Sequence, residues 1–148
     1  MAVQSKDSNK KVIIDEITFG CQAEARYYEH LKRLQENDQI LFFRTQPRYL
    51  LQEAFTKNGV LHEKIEYAAD FEVHHKDGSI EVIDIREAET EAFKIKRKLF
   101  EKKYPHTLSL FTYSPDHEGF LPMKEYQAYV KKKKALRGGG KRVVRKVR

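Results

Sequence analysis

Cysteine is nearly absent from this chain of 148 residues, which contains only Cys21. A single cysteine excludes an internal disulfide and a zinc site built from several cysteine ligands. Sparse cysteine is typical of proteins in a reducing compartment, so we expect a cytoplasmic protein. We interpret Cys21 as a small buried residue, since no histidine is paired with it to make it a nucleophile.

Long apolar runs are also absent. No run approaches the ~20 residues that a membrane-spanning helix needs, and the polar residues 1–11 lack the apolar stretch of a signal peptide. We therefore expect no membrane partner. Apolar residues nevertheless make up 40% of the chain, including nine Phe and eight Tyr. This composition predicts a globular domain with its own core.

Acidic residues are missing from the last 18 residues, 131–148, which contain ten Lys and Arg. The net charge of +7 is therefore concentrated there, because residues 1–130 contain 19 Lys and Arg against 22 Asp and Glu. Basic tails commonly bind nucleic acid, although a solvated tail without a partner is the alternative. We predict an N-terminal extension over residues 1–17, a folded domain over 18–130 and a basic tail over 131–148.

Hydrophobic periodicity predicts three helices. The first covers residues 21–36 and has four apolar residues at helical spacing, namely Ala23, Tyr27, Leu31 and Leu34. The second covers residues 89–103, and its predicted core stripe is Ala92, Ile95 and Leu99, with Phe93 and Phe100 beside it. The third begins at about residue 123 and continues into the basic tail.

Short apolar segments between turn residues predict the strands. They cover residues 12–19, 40–45, 49–55 and 107–112, whereas residues 115–122 are predicted to be a loop. Apolar and polar residues alternate from Ile65 to Val73, which predicts one continuous strand with a single apolar face. Asp77-Gly78 is a turn signal, and residues 80–86 form the return strand of a β-hairpin.

The register of this hairpin follows from its apolar residues. A two-residue loop would pair Phe71 with an acid and mix polar and apolar faces. A three-residue loop over residues 76–78, with its glycine left-handed, instead pairs Phe71 with Ile83. In that register Asp70 lies directly opposite Asp84, and facing carboxylates repel each other unless a cation lies between them.

Taken together, the elements predict an α/β fold with a mixed central β-sheet flanked by helices. The strand over residues 107–112 follows a helix, which favours a parallel crossover from the hairpin.

Several segments, in this order, resemble the PD-(D/E)xK nuclease superfamily, and more closely an uncharacterised phage and prophage family placed in it. The matching segments are residues 22–28 with Leu31, 46–49, 67–71, 82–86, Thr90 and 93–100. The resemblance covers about residues 18–113. It implies a restriction-endonuclease-like core, with residues 18–130 as a nuclease-like domain.

The resemblance also implies roles for individual residues. Asp70 and Asp84 would be the metal-binding carboxylates, and Glu24 would approach the same ion directly or through water. The backbone carbonyl of Ile85 would complete the inner shell. Oxygen ligands of this kind suit Mg²⁺ or Mn²⁺, which activates water for phosphodiester hydrolysis. The implied activity is a metal-dependent DNA endonuclease.

One departure from the motif concerns its lysine, because Arg86 occupies that position and Glu87 follows it. Arginine stays protonated and cannot act as a base, but it donates hydrogen bonds to phosphate. Lys94, on the following helix, is a candidate for supplying the missing ammonium group. We therefore list Arg86 and Lys94 with Glu24, Asp70 and Asp84 as candidate catalytic residues.

Two functions remain open at this point. The first is a structure-selective, junction-resolving endonuclease of phage or prophage DNA metabolism, which would work in the cytoplasm of a bacterial host and as a homodimer. The second is a catalytically inactive nuclease-fold protein that binds DNA or a protein partner, with Arg86 as the sign of lost activity.

Overall fold

The computed structural model describes residues 10–147, with side chains up to residue 138. The predicted N-terminal extension falls partly on residues 1–9, which lie outside this range. The helices are α1 (Gln22–Glu36), α2 (Glu91–Lys103) and α3 (Met123–Val147). The strands are β1 (Val12–Ile14), β2 (Ile17–Phe19), β3 (Phe42–Thr45), β4 (Arg48–Gln52), β5 (Phe55–Lys57), β6 (Val60–His62), β7 (Ile65–Ala68), β8 (Phe71–His74), β9 (Ile80–Ile85), β10 (Thr107–Ser114) and β11 (Gly119–Pro122).

A five-stranded mixed sheet forms the centre of the molecule, in the order β11-β10-β9-β8-β3. Strands β3, β8 and β9 run antiparallel, whereas β9 and β10 run parallel and are connected through α2. A parallel pair needs such a crossover, because its strands start at the same edge of the sheet. The mixed α/β architecture agrees with the prediction from sequence.

Two apolar clusters cover the opposite faces of this sheet. The first lies under α1 and includes Phe19, Leu31, Phe71 and Ile83. The second lies under α2 and includes Tyr49, Tyr67, Val82, Phe93 and Phe100. Because side chains alternate along a strand, Val82 and Ile83 of β9 serve different clusters.

The hairpin of β8 and β9 has the predicted register, since Phe71 pairs with Ile83. The amide of His75 bonds the carbonyl of Ser79, so residues 76–78 form a three-residue loop. Gly78 has a φ of 92°, the left-handed conformation that this loop requires. The prediction of the loop and register is confirmed.

The prediction of one continuous strand from Ile65 to Val73 is wrong. The chain leaves β7, which pairs with β4 in a separate two-stranded sheet, and enters β8 of the central sheet after Ala69 and Asp70. Ala69 consequently joins the cluster under α2, whereas Phe71 joins the cluster under α1. Alternation in sequence does not reveal where a chain changes sheet.

Two other strand predictions need correction. Residues 12–19 form a two-stranded hairpin rather than one strand, because Asp15 and Glu16 both have positive φ and reverse the chain. Residues 115–122, predicted as a loop, contain a short 3-10 turn and β11, which pairs with β10.

The core stripe predicted for α2 is also wrong. Phe93 and Phe100 are the buried residues of this helix, while Ile95 is 62% exposed and Leu99 is 37% exposed. The two phenylalanines bury more area than the aliphatic residues and pack against aromatic rings of β4 and β7. The apolar stripe formed by Ala92, Ile95 and Leu99 therefore faces outward.

The third helix, α3, begins at Met123 as predicted and runs without interruption to Val147. The backbone of the basic segment from residue 131 is therefore helical over the described range. Among the helices of residues 10–147, none combines the length and the apolar character that a membrane crossing needs.

Candidate functional site

Asp70 lies at the junction of β7 and β8 and is held from three directions. Its amide bonds the carbonyl of Ile83 at 3.1 Å, and its carbonyl accepts from the amide of Gln46 at 2.9 Å. Its carboxylate oxygen Oδ2 accepts a hydrogen bond from the amide of Ile85 at 2.7 Å. These contacts fix the direction of the carboxylate toward the end of β9.

The Asp70 and Asp84 carboxyl groups lie against each other, as the predicted register requires. Burial, followed by the charge of the neighbouring Asp84 and a hydrogen bond shared with it, raises the pKa of Asp70 to about 9. The Glu24 carboxylate contributes to the rise, and the amide of Ile85 partly opposes it. Asp70 therefore favours its protonated form, and a cation between the two carboxyl groups would relieve the same repulsion.

Asp84 is buried and receives two donors at Oδ2. The Tyr67 hydroxyl donates to it at 2.7 Å. Tyr67 itself belongs to the apolar cluster under α2. The Arg86 guanidinium donates through Nη2 at 3.3 Å. Burial, followed by the Asp84 charge and hydrogen bond, raises the pKa of the Tyr67 hydroxyl, so it remains a donor across the accessible pH range.

Arg86 follows Asp84 by two residues and points to the same face of the strand. Its guanidinium lies over the Phe93 ring, with Cζ 3.6 Å from the ring centroid. Its backbone is fixed by β10, because its amide bonds the carbonyl of Phe111 and its carbonyl accepts from Thr112. The arginine is thus positioned as a fixed cation at the border of the acidic pair.

Glu24 stands on the first turn of α1, near enough to influence Asp70 electrostatically. Its carboxylate accepts the amide of Gly20 at 3.2 Å and the thiol of Cys21 at 3.4 Å. These contacts tie the first turn of α1 to the two residues that precede it. Glu24 therefore has a local structural role and also adds negative charge beside the carboxylate pair. Burial raises the pKa of the Cys21 thiol, which disfavours its nucleophilic form.

Two other predicted residues, Ile85 and Lys94, are placed differently from Asp70, Asp84 and Arg86. Ile85 contacts Asp70 through its amide rather than through the carbonyl that the resemblance implies as a metal ligand. Lys94 forms an ion pair at 3.7 Å with Glu91 on the exposed side of α2. The structure therefore brings together Asp70, Asp84 and Arg86, while a role for Lys94 stays a prediction.

Glu72 is a second buried acid, and its carboxylate, unlike that of Asp70, has three polar side-chain partners. Glu72 accepts hydrogen bonds from Tyr49 at 2.6 Å and from Arg44 at 2.9 Å, with His74 at 2.8 Å. Burial opposes its ionisation, but these partners hold the pKa of Glu72 at about 2. Asp70 lacks such compensation, and unbalanced burial of charge is typical of functional sites.

The residues at the site fit a hard divalent cation. Within residues 10–138, no set of three or more His, Cys, Asp or Glu side chains is arranged to share a metal ion. The pair formed by Asp70 and Asp84 suits Mg²⁺ or Mn²⁺ on its own, because such ions are often held by one or two carboxylates with water and substrate oxygens. The repulsion that raises the pKa of Asp70 is the interaction that a cation would reverse.

One buried polar atom beside the acidic pair, Nε of Arg86, has no hydrogen-bond partner within the described residues. Oε2 of Glu89 also lacks a hydrogen bond there, but it lies 3.0 Å from Nη1 of Arg97, and this ion pair compensates its charge. The N–H of Arg86 Nε can therefore donate to a polar ligand or to water.

Sequence reasoning missed Tyr67. In the sequence it stands on what looks like the apolar face of a strand, where a tyrosine is normally a packing residue. The break at Ala69 and Asp70 turns it instead toward the face that carries Asp84. No local pattern signals this hydroxyl, because its partner is 17 residues away in the chain.

The fold and the site define a mixed α/β protein with a buried, mutually repelling carboxylate pair at the end of a central hairpin. Residues 4–118 match a family model whose description is "Protein of unknown function (DUF1064)". The chain belongs to this family, because the matched region covers most of its length. A comparison with curated proteins gave no match.

Proposed function

We propose that this protein is a metal-dependent DNA endonuclease of the PD-(D/E)xK class, with a restriction-endonuclease-like core. The observation that carries the proposal is the contact between the Asp70 and Asp84 carboxyls across the hairpin. An acid-bearing helix, a hairpin with two acids, a second helix and a parallel strand follow one another in the order that the resemblance implies. This order supports the proposal.

The residues of the site would have different roles at a scissile phosphate. Asp70 and Asp84 would hold Mg²⁺ or Mn²⁺, which when bound supplies Lewis-acid activation of water and neutralises phosphate charge. Tyr67 keeps the Asp84 carboxylate oriented. Arg86, fixed over Phe93, would donate to a phosphate oxygen as negative charge develops there.

The basic segment of α3 supports DNA as the substrate. Its lysines and arginines would contact phosphates outside the site, which adds affinity without sequence preference. The rest of the described chain is close to neutral or acidic, so this segment is the main source of such attraction.

A second candidate function is favoured by one contact. Arg86 already donates to Asp84 at 3.3 Å and stacks on Phe93. In this arrangement the guanidinium is a built-in cation that competes with a metal ion for the carboxylate. A protein in which this pair never opens would bind DNA or a protein partner without cleaving it.

The test is to incubate the protein with duplex, single-stranded, flapped and branched DNA, in Mg²⁺, in Mn²⁺ and in chelator. Asp70→Asn is the site variant. Asp77→Asn is its matched control, because Asp77 lies in the turn of the same hairpin and is exposed. The proposal expects metal-dependent cleavage by wild type and by Asp77→Asn, and none by Asp70→Asn.

Thermal unfolding with and without Mn²⁺ separates the two functions. A metal that binds only the folded state raises the melting temperature. Absence of both cleavage and stabilisation would favour the inactive alternative, in which Arg86 occupies the carboxylate in place of the metal. If Mn²⁺ stabilises wild type and Asp70→Asn equally, or if DNA is cleaved in chelator, the proposed metal centre is wrong.

A further inference from the structure

Two paired stretches of chain pass from one sheet to another at the same level, beside the acidic pair. One passes from β3 to β4 through Gln46 and Pro47, and the other passes from β7 to β8 through Ala69 and Asp70. The amide of Gln46 donates to the carbonyl of Asp70 at 2.9 Å. The amide of Ala69 donates to the carbonyl of Pro47 at 3.1 Å. Asp70 therefore lies at a bend whose position is set by both stretches together.

Gln46 adopts a backbone conformation that is unusual for its residue type. Its φ is 52°, in the left-handed region that glycine, asparagine and aspartate enter most readily. The residue before a proline also favours extended backbone, and Pro47 follows it. A glutamine keeps such a conformation only where the surrounding structure holds it, and residues of this kind concentrate at functional sites.

The side chain of Gln46 connects this bend to the segment that carries Glu24. Its Nε2 donates to the carbonyl of Thr18 on β2 at 2.7 Å. Thr18 lies two residues before Gly20, whose amide donates to the Glu24 carboxylate at 3.2 Å. The charge of Glu24 in turn acts on Asp70. Gln46 thus contacts both of the segments that bring these two acids together, one through its amide and the other through its side chain.

Acidic groups held near one another repel, so segments that carry them relax apart unless other contacts restrain them. A restraint that is present before the ion arrives raises metal affinity, because the ligands are already oriented. We propose that Gln46 is a positioning residue, which holds the segments of Asp70 and Glu24 at the spacing that a divalent cation requires. The inference rests on the metal centre of the proposed function, but it does not depend on cleavage of DNA.

Two variants separate the side-chain contact of Gln46 from its backbone strain. Gln46→Met keeps the length of the side chain and removes the donor. Gln46→Gly removes the side chain and also the strain, because glycine adopts positive φ freely. Asn58→Gly is the matched control, since Asn58 is an exposed amide residue with a φ of 53°. It lies in the turn between β5 and β6, which pair only with each other.

The first measurement is made without metal, on the amide proton of Ile85. This amide donates to Oδ2 of Asp70 at 2.7 Å, so its NMR chemical shift reports where the Asp70 carboxyl group lies. We expect an upfield shift in both Gln46 variants, because a longer or bent hydrogen bond deshields the proton less. In Asn58→Gly the resonance should keep its wild-type position.

The second measurement is the affinity of the full chain for Mn²⁺, by calorimetric titration. We expect the dissociation constant to rise at least about tenfold in both Gln46 variants, as is typical when a residue that orients metal ligands is changed. The control should bind Mn²⁺ like wild type. In chelator, Gln46→Gly should unfold at a higher temperature than Gln46→Met, because it lacks the strain. A similar loss of affinity in two variants of different stability would distinguish positioning from a general structural role.

Three results would overturn the inference. They are an Ile85 resonance that Gln46→Met leaves in place, wild-type Mn²⁺ affinity in both Gln46 variants, and a loss of affinity in Gln46→Met alone that follows its lower stability. In each of these cases the metal centre itself can still be correct, because wild type binds Mn²⁺. If wild type binds no Mn²⁺, the proposed metal centre fails and this inference fails with it.

Discussion

The hydroxyl of Tyr67 donates a buried hydrogen bond of 2.7 Å to Oδ2 of Asp84. Tyr67 lies on β7 of a small two-stranded sheet, while Asp84 lies on β9 of the central sheet. The contact therefore ties the two sheets together at the acidic pair. It also fixes the orientation of the Asp84 carboxylate in that pair.

We predict that Tyr67→Phe lowers the free energy of unfolding by about 1–3 kcal/mol, because the buried carboxylate loses its donor while the ring packing remains. Tyr49→Phe is the matched control, since Tyr49 donates to the other buried acid, Glu72, at 2.6 Å. Urea unfolding of both variants should show similar losses. Only Tyr67→Phe should also weaken the response of the protein to Mn²⁺; an equal response in both variants would assign Tyr67 a purely structural role.

Stability without metal should fall as the pH rises from 6 to 9. The pKa of Asp70 is about 9 in the folded state and close to 4 in an unfolded chain. The folded state holds this proton more tightly, so its contribution is full below the unfolded pKa and is lost as the pH rises through the folded pKa. The slope from one proton is at most about 1.4 kcal/mol per pH unit.

Asp70→Asn checks this assignment. The asparagine oxygen still accepts from the amide of Ile85, but no charge is left to repel Asp84. The variant should be more stable than wild type at alkaline pH and should lose this part of the slope. The pKa of Glu72 is lowered to about 2, so its contribution changes only at acid pH and does not confuse the comparison. A slope that Asp70→Asn leaves unchanged would contradict the assignment.

Substitutions of Arg86 distinguish the active enzyme from the inactive alternative. If the protein cleaves DNA, Arg86→Ala should reduce the rate by about 100-fold or more, as expected when a transition-state donor is removed. Arg86→Lys should retain or raise the rate, because it restores the residue of the motif. Equal rates for wild type and Arg86→Ala would exclude Arg86 from the mechanism and favour Lys94. If wild type is inactive, the informative result is rescue of cleavage by Arg86→Lys.

Deleting residues 138–148 should weaken DNA binding while the domain stays folded. The deletion removes five Lys and Arg and retains Lys133, whose ammonium bonds Asp116 at 3.0 Å. Each phosphate contact that is lost should reduce the slope of log affinity against log salt by about 0.9 on duplex DNA. Fluorescence anisotropy at several salt concentrations measures this slope. A slope equal to that of the full chain would show that the segment takes no part in binding.

Local sequence was sufficient for the hairpin and its acidic pair. The register of β8 and β9 depends on the alternation around Phe71 and Ile83 and on a glycine that adopts positive φ, and all of these features lie within 16 residues. Once that register is given, the side-chain period of two residues places Asp70 opposite Asp84 and Arg86 beside it. Apolar periodicity likewise predicted the bounds of α1 and α2 to within two residues. The start of α2 at Glu91 depends on Thr90, whose side chain accepts a hydrogen bond from the amide of Phe93.

Only the tertiary structure decided which of two apolar stripes on α2 is buried. Phe93 and Phe100 lie on one side of this helix, with Ile95 and Leu99 on the other, so periodicity allows either orientation. The aromatic side was selected because Tyr49 and Tyr67 provide rings for it to pack against, and these rings come from distant segments. The change of sheet at Ala69 is of the same kind. It depends on the pairing of β7 with β4. The free energy of strand pairing is set by both strands, so the sequence of one strand does not predict it.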